Sequence, residues 1–236
     1  MYSLESRIRY SEVDRNGFLT VKGVVNYLQD CSIFQSEDLG VGIDYLKEHQ
    51  TAWVLNAWQI DFLKLPRLGD FVEVNTWAYD FKGIYGYRNF LIKEKEGKEL
   101  IKANSVWVYM DFTQGKPIKV KEENRKKYEI LKPLDMTYLP RKVVVAEGGS
   151  FQEPIVVRNH FIDTNCHVNN GQYIQLALDY LPEEQKWKRF RAEYRKAAVL
   201  GDVMIPRIIQ DDSTYFVVME DKHGTPYVNM EFTSIV

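Results

Sequence analysis

The chain has 236 residues, 45% of them hydrophobic and 14% aromatic, enough to bury a sizeable core in one large domain or two small ones. A formal charge of −2 leaves no global basic field of the kind that nucleic-acid binding uses. No apolar run reaches the roughly 20 residues that span a bilayer, and the start, MYSLESRIRY, lacks the apolar core of a secretion signal, so the reading is a cytoplasmic protein without a membrane span.

In chain order, YSEVDRNGFLTVKGVVNYLQD comes first. Thr20 is placed to cap a helix running to about Leu39, with Val21, Val24, Val25, Leu28 and Cys31 on one face and Gly40 as its stop. Strands are predicted at 53–62, 71–79, 85–93 and 100–110, separated by turn signals such as Lys82-Gly83 and Glu96-Gly97. The stretch TQGKPIKVKEENRKKYEILKPLDMTYLPRKVVVAEGGSFQEP has four prolines, little alternation and many basic residues. It reads as a linker with one short helix at 121–131, either a solvated connection or a docking strip for an acidic partner. Beyond it, Asn169 or Asn170 caps a helix with Tyr173, Ile174, Ala177, Leu178 and Leu181 at helical spacing, before Pro182 ends it. Strands follow at 190–195, 203–209, 214–220 and 227–235.

The order helix first, sheet second therefore occurs twice. Asp14 and Asn16 precede the first helix as Asp163 and Asn165 precede the second, and IDFLKLPRLGD (60–70) aligns without a gap with AEYRKAAVLGD (192–202). A third pair of segments shares strand, charged turn with Gly97 or Gly224, and strand. Three correspondences in one order argue for an internal duplication of about 110 to 130 residues and an α+β class.

The candidate site is the step Asp163-x-Asn165-x-His167. As a calcium loop it fails, because Val168 stands where glycine and Ile174 where a bidentate glutamate are needed. Zinc has no ligand set: Cys166 and His167 are neighbours, and His49, His160 and His223 are scattered. A purely structural turn or helix cap stays open. Against it, the first copy has Gly17 and Phe18 where the second has Cys166 and His167, so the imidazole exists in one copy only. An extended run from Phe161 to His167 would point all three side chains to one side at the mouth of a helix. A carboxylate, an imidazole and a carboxamide there suit hydrolysis of an activated acyl compound.

The phrase DTNCHVNNGQYI, the downstream EYRKAAVLGD, TVKGVVNYLQDCS and WVLNAWQIDFLKLPRLGD together resemble the acyl-ACP thioesterases, over essentially the whole chain. That resemblance implies two tandem hotdog domains, each a long helix wrapped by a curled antiparallel sheet: an N-terminal hotdog at 1–112, a basic linker at 113–150 and a catalytic C-terminal hotdog at 151–236. It implies release of fatty acid from acyl carrier protein and its phosphopantetheine arm, without metal or cofactor, with Asp163, Asn165 and His167 catalytic. The first hotdog would hold the acyl chain, beside Val24, Leu28, Trp53, Trp58 and Phe62, residues that on their own pattern read as core. One departure stands out: the family's acidic or amide residue after the EYR step, and the cysteine that follows it in plants, are Ala197 and Ala198 here. Water attack assisted by Asp163 is therefore expected in place of a thiol mechanism. An acyl-CoA thioesterase, a hydroxyacyl-thioester dehydratase and a non-catalytic carrier-binding module remain alternatives. Chain length is not legible, and a monomer suffices although a homodimer stays open.

Overall fold

Thr20 begins the first long helix as its sequence position requires. Its Oγ1 accepts the Gly23 amide at 3.0 Å and opens α1 (Val21–Asp38). At the far end Gly40, with φ +66°, closes the last turn while the Val41 amide reaches back to Ser36 O at 2.9 Å. Val24, Val25, Leu28 and Cys31 on its inner face are fully buried. A short α2 (Ile43–Glu48) follows, then β2 (Thr51–Phe62), β3 (Phe71–Lys82), β4 (Tyr85–Glu94) and β5 (Glu99–Asp111). Ahead of them lies β1 (Tyr2–Arg7), which the sequence reading did not mark. This computed structural model describes residues 1–183 and 185–235; Glu184 and Val236, the latter ending the expected C-terminal domain, lie outside the described residues.

The chain divides into two compact units, Met1–Leu139 and one from Pro140 onward. In the first, the antiparallel order is β1-β3-β4-β5-β2. Helix α1 lies across it: Tyr27 Oη donates to Arg7 O on β1 at 3.2 Å and Cys31 Sγ donates to Val74 O on β3 at 3.3 Å. The second unit has β7 (Ser150–Phe151), β8 (Ile155–Val156), α4 (Asn170–Leu178), β9 (Trp187–Tyr194), β10 (Val203–Asp211), β11 (Thr214–Glu220) and β12 (Pro226–Ser234), the first unit having also a short β6 (Lys116–Pro117) and α3 (Glu122–Arg125). Its order, β7-β10-β11-β12-β9, has the same sequence of neighbours as the first. Phe190 and Phe232, 4.8 Å apart between ring centres, anchor its core with Met204, Val217 and Met230. Both units are α+β, with antiparallel sheet dominant.

Two local expectations are revised. The helix expected at 121–131 is confined to α3, because Ile130 is drawn into a parallel bridge with Ala78 and the Leu131 amide donates to Ala78 O at 3.1 Å. Residues up to 139 are strapped to the first sheet by buried amides. Asn89 Oδ1 accepts from the Leu134 amide at 3.0 Å and from Tyr138 Oη at 2.9 Å, while Gln59 donates to Thr137 O at 2.7 Å and accepts from the Leu139 amide at 2.9 Å. Helix α4 stops at Leu178, short of Leu181: the Tyr180 amide donates to Ala177 O at 3.1 Å and the Leu181 amide to Leu178 O at 3.2 Å, tighter i→i−3 bonds that replace the α-helical pattern ahead of Pro182.

Candidate active site

The duplication carries through to individual hydrogen bonds. In the first unit the Asp14 amide donates to Phe18 O at 2.8 Å, Gly17 N to Asp14 O at 3.0 Å and Thr20 N to Glu12 O at 3.0 Å. In the second, the Asp163 amide donates to His167 O at 2.8 Å, Cys166 N to Asp163 O at 3.1 Å and Asn169 N to Phe161 O at 2.8 Å. An antiparallel bridge closes each turn, Val13 with Leu19 and Ile162 with Val168. Downstream, Leu19 N donates to Pro66 O and Val168 N to Ala198 O, both at 2.9 Å. The hairpins match too: Lys64 pairs with Glu94 at 2.8 Å, and Lys196 with Asp221 at 2.9 Å. One scaffold is built twice, and its side chains differ at the turn.

That turn corrects the expected geometry. Residues 163–167 do not run extended; they form a tight loop in which Asp163 Oδ1 accepts the Asn165 amide at 2.8 Å and Cys166 takes φ +61°. Asp163, Asn165 and His167 thus share one turn, not alternate positions of a strand. Asp and Asn favour such loops because their side chains cap their own backbone. Asp163 and His167 are half-buried, Asn165 and Cys166 exposed. Left-handed backbone at a non-glycine residue is uncommon, and the first copy meets the same demand with Gly17 at φ +77°. The turn leads straight into α4, whose N-cap is Asn169: its Oδ1 accepts the Gly171 amide at 2.8 Å.

A further polar group underlies the turn. Tyr173 Oη accepts the Ala198 amide at 3.2 Å, while Ala198 O holds Val168, so Tyr173 ties α4 to the strand exit. Burial pushes its phenol well above the ordinary value, so it keeps its proton. The sequence reading counted Tyr173 only on the helix face; a polar tip among Ile174 and Ala177 was the available signal. Ala197 is exposed and Ala198 fully buried, each with only a methyl side chain.

Of the two thiols, Cys31 lies in the core of the first unit, where burial pushes it up to about 12. Cys166 is exposed at the turn itself. Among the apolar candidates, Val24, Leu28, Trp58 and Phe62 are buried and Trp53 half-buried, all in the first unit. Trp58 packs on Phe90 at 5.1 Å and Trp53 on Tyr109 at 4.8 Å. A separate open groove of about 310 Å³ in the second unit is lined by Lys142, Val145, Arg207, Glu220 and Asn229, and none of the three turn residues borders it. No helix among the described residues is long and apolar enough to cross a membrane.

Comparison with known proteins bears on the whole chain. It is 27% identical over 220 residues to the chloroplastic acyl-[acyl-carrier-protein] hydrolase FATB1 of Cuphea viscosissima, covering 84% of this chain and 51% of that protein. It is 25% identical over 222 residues to the chloroplastic oleoyl-acyl carrier protein thioesterase 1 of Arabidopsis thaliana, covering 84% and 60% respectively. The chain thus spans about half the length of the curated relatives it matches, or somewhat more. Its fold is shared with an acyl-ACP thioesterase structure from Bacteroides thetaiotaomicron, with TM-score 0.89, 24% identity and coverage of 99% and 97%. The 12:0-ACP thioesterase of Umbellularia californica gives TM-score 0.85 at 20% identity, covering 99% and 96%. The acyl-ACP thioesterase N-terminal domain matches residues 1–128 and its C-terminal domain residues 146–225, so the chain belongs to the acyl-ACP thioesterase family.

Proposed function

We propose that this chain is a thiolester hydrolase of fatty acyl-ACP, built as two tandem hotdogs, the first binding the acyl chain beside Val24, Leu28, Trp53, Trp58 and Phe62, the second carrying Asp163, Asn165 and His167. The observation that carries the reading is the paired turn: two loops with the same hydrogen bonds, of which only the second adds an imidazole to the carboxylate and amide. A role confined to shaping the loop would be served equally by Gly17 and Phe18.

In this mechanism Asp163 takes a proton from water as the water oxygen bonds to the thioester carbonyl carbon. His167 polarises the developing oxyanion, and Asn165 holds the geometry. Collapse of the tetrahedral species breaks the carbon–sulfur bond, the pantetheine sulfur leaves with the proton that Asp163 carried, and free fatty acid remains. Cys31 is too deeply buried and too weakly acidic to attack, which favours water as nucleophile. Carrier protein, presenting its acyl-phosphopantetheine arm, is the partner in this reading. The decisive measurement is release of carrier thiol across saturated acyl-ACPs of increasing length, with the matching acyl-CoAs beside them. Turnover on acyl-ACP with a length optimum is expected; stable binding without thiol release would refute the hydrolase.

A further inference from the structure

Arg88 on β4 lies inside the first unit, with 8% of its surface exposed. Among the described residues its contacts are with neutral groups. Nη1 donates to Thr76 Oγ1 on β3 at 3.0 Å and to Gln35 Oε1 on α1, and the guanidinium carbon stands 5.5 Å from the centre of the Tyr128 ring. No carboxylate pairs with it among the described residues. Elsewhere the chain matches buried Arg191 with Glu231 and half-buried Arg207 with Glu220, each at 2.7 Å. A buried cation left without a counter-ion is costly, so the arrangement calls for an explanation.

A guanidinium is a planar fork with five N–H donors. Both hydrogens on Nη1 are used, which leaves the Nε–Nη2 edge, the edge that grips a carboxylate in bidentate fashion, without an acceptor among the described residues. That edge is not sealed: among the described residues, the partnerless side-chain nitrogens cut off from solvent are Trp58 Nε1 and Asn75 Nδ2. Register places Arg88 opposite Ser105, and Ser105 opposite Trp58, so the two unfilled donors stand in one cross-strand row. Phe90, fully buried, is the next residue of β4 on the same face, and Leu28 and Cys31 of α1 are likewise fully buried. Fully buried apolar side chains share this region with Gln35, Thr76 and Ser105, and the free groups are donors, one of them cationic.

We propose that Arg88 is the receptor for the carboxylate of an aliphatic acid bound within the first unit. The aliphatic part of that ligand rests on the acyl-chain reading above; the carboxylate part rests on Arg88 alone. Two sources present this chemistry: the released fatty acid, or a far-end carboxylate on an acyl chain still joined to its carrier.

The test titrates the full chain with decanoate and with 1-decanol, following tryptophan fluorescence and calorimetric heat. Decanoate is expected to bind about ten-fold or more tightly than the alcohol, and Arg88→Gln to erase the difference. Thermal melts separate this from a purely structural role: without ligand Arg88→Gln melts no lower than the parent, and decanoate raises the melting temperature of the parent more than that of the variant. Equal affinity for acid and alcohol in the parent overturns the proposal. So does an Arg88→Gln variant that keeps the preference. If Arg88→Gln fails to fold, the structural role prevails unless Arg88→Lys folds with a reduced preference for the acid. The sources are told apart by turnover. Preferential hydrolysis of ω-carboxydecanoyl-ACP over decanoyl-ACP, lost in Arg88→Gln, assigns the far-end carboxylate; inhibition by decanoate that weakens in the variant assigns the released acid. Because binding and hydrolysis are read separately, a chain that binds decanoate without cleaving any thioester refutes the hydrolase and leaves the receptor standing.

Discussion

The duplicated turn supplies its own control for Asp163. Replacing Asp163 by Asn keeps an oxygen that can accept the Asn165 amide, now at 2.8 Å, and removes only the charge. A hydrogen bond to a charged group contributes about 1.5–3 kcal/mol against about 0.5–1.5 for a neutral one, and partial exposure brings the difference down to roughly 1 kcal/mol. Asp14→Asn is the matched perturbation, touching two amides, those of Asn16 at 2.8 Å and Phe18 at 2.9 Å, for a cost of roughly 1–2 kcal/mol. Neither change unfolds a domain with the usual reserve of about 5–15 kcal/mol. Their chemical consequences diverge. Losing the base should lower turnover on acyl-ACP by roughly a hundred to ten thousand fold for Asp163→Asn, while Asp14→Asn stays near the parent. Thiol release from acyl-ACP and a thermal melt on both variants provide the comparison. Near-parental turnover in Asp163→Asn, or an equal loss in Asp14→Asn, would refute the assignment of base chemistry to the second turn.

Further outcomes follow from the same geometry. Cys31, pushed up to about 12 by burial, should resist an aromatic disulfide reagent at pH 8 while exposed Cys166 reacts at once; two fast thiols would show that the first unit opens readily. Cys166→Ala should hydrolyse acyl-ACP close to the parental rate, and loss of turnover would reinstate a thiol nucleophile. Lys196, with the amides of Thr225 and His223, holds Asp221 at about 2. Because the folded value lies below the ordinary carboxylate range, this stabilisation is present above about pH 4 and is lost as pH falls toward about 2. The melting-temperature gap between parent and Lys196→Met should therefore be level near neutrality and close on acidification; a gap that widens in acid contradicts the linkage. Leu28→Ala, at a fully buried site on α1, should lower stability by about 2–5 kcal/mol in urea unfolding, and a cost under about 1 would mean the side chain lines open space and not packed core.

Much of the fold was legible because its signals are local. Thr20 as cap, Gly40 as stop and eight of the strands follow from one-residue preferences and short periodicities, and the strand ends lie within three residues of those expected. The twofold order of motifs was legible for a related reason: the Leu-Gly-Asp corners and Asp-x-Asn turns close with their own hydrogen bonds, so the same residues recur wherever the same turn is needed. Less visible was β1, whose inward face, Tyr2, Leu4 and Ser6, ends on a polar residue after two apolar ones and which gains order by pairing with β3, some 70 residues away. The strap up to residue 139 was missed likewise, since Gln59 and Asn89 look like ordinary strand residues until their amides meet its backbone.

At the candidate site the division is sharper. The sequence by itself determined which side chains are near one another, because Asp163, Asn165 and His167 fall within five residues, and it determined that only one copy has the imidazole. It did not determine the shape of that step. Alternation suggested a strand, whereas Cys166 adopts the left-handed conformation that Gly17 adopts in the first copy, a choice a lone cysteine does not announce. Tertiary structure alone decided that Tyr173 would meet Ala198 and that Arg88 would be enclosed with no acid paired to it among the described residues. The physical reason is common to both: a turn is set by neighbours in the chain, but the partner of a buried polar group is set by whichever strand or helix the fold brings against it.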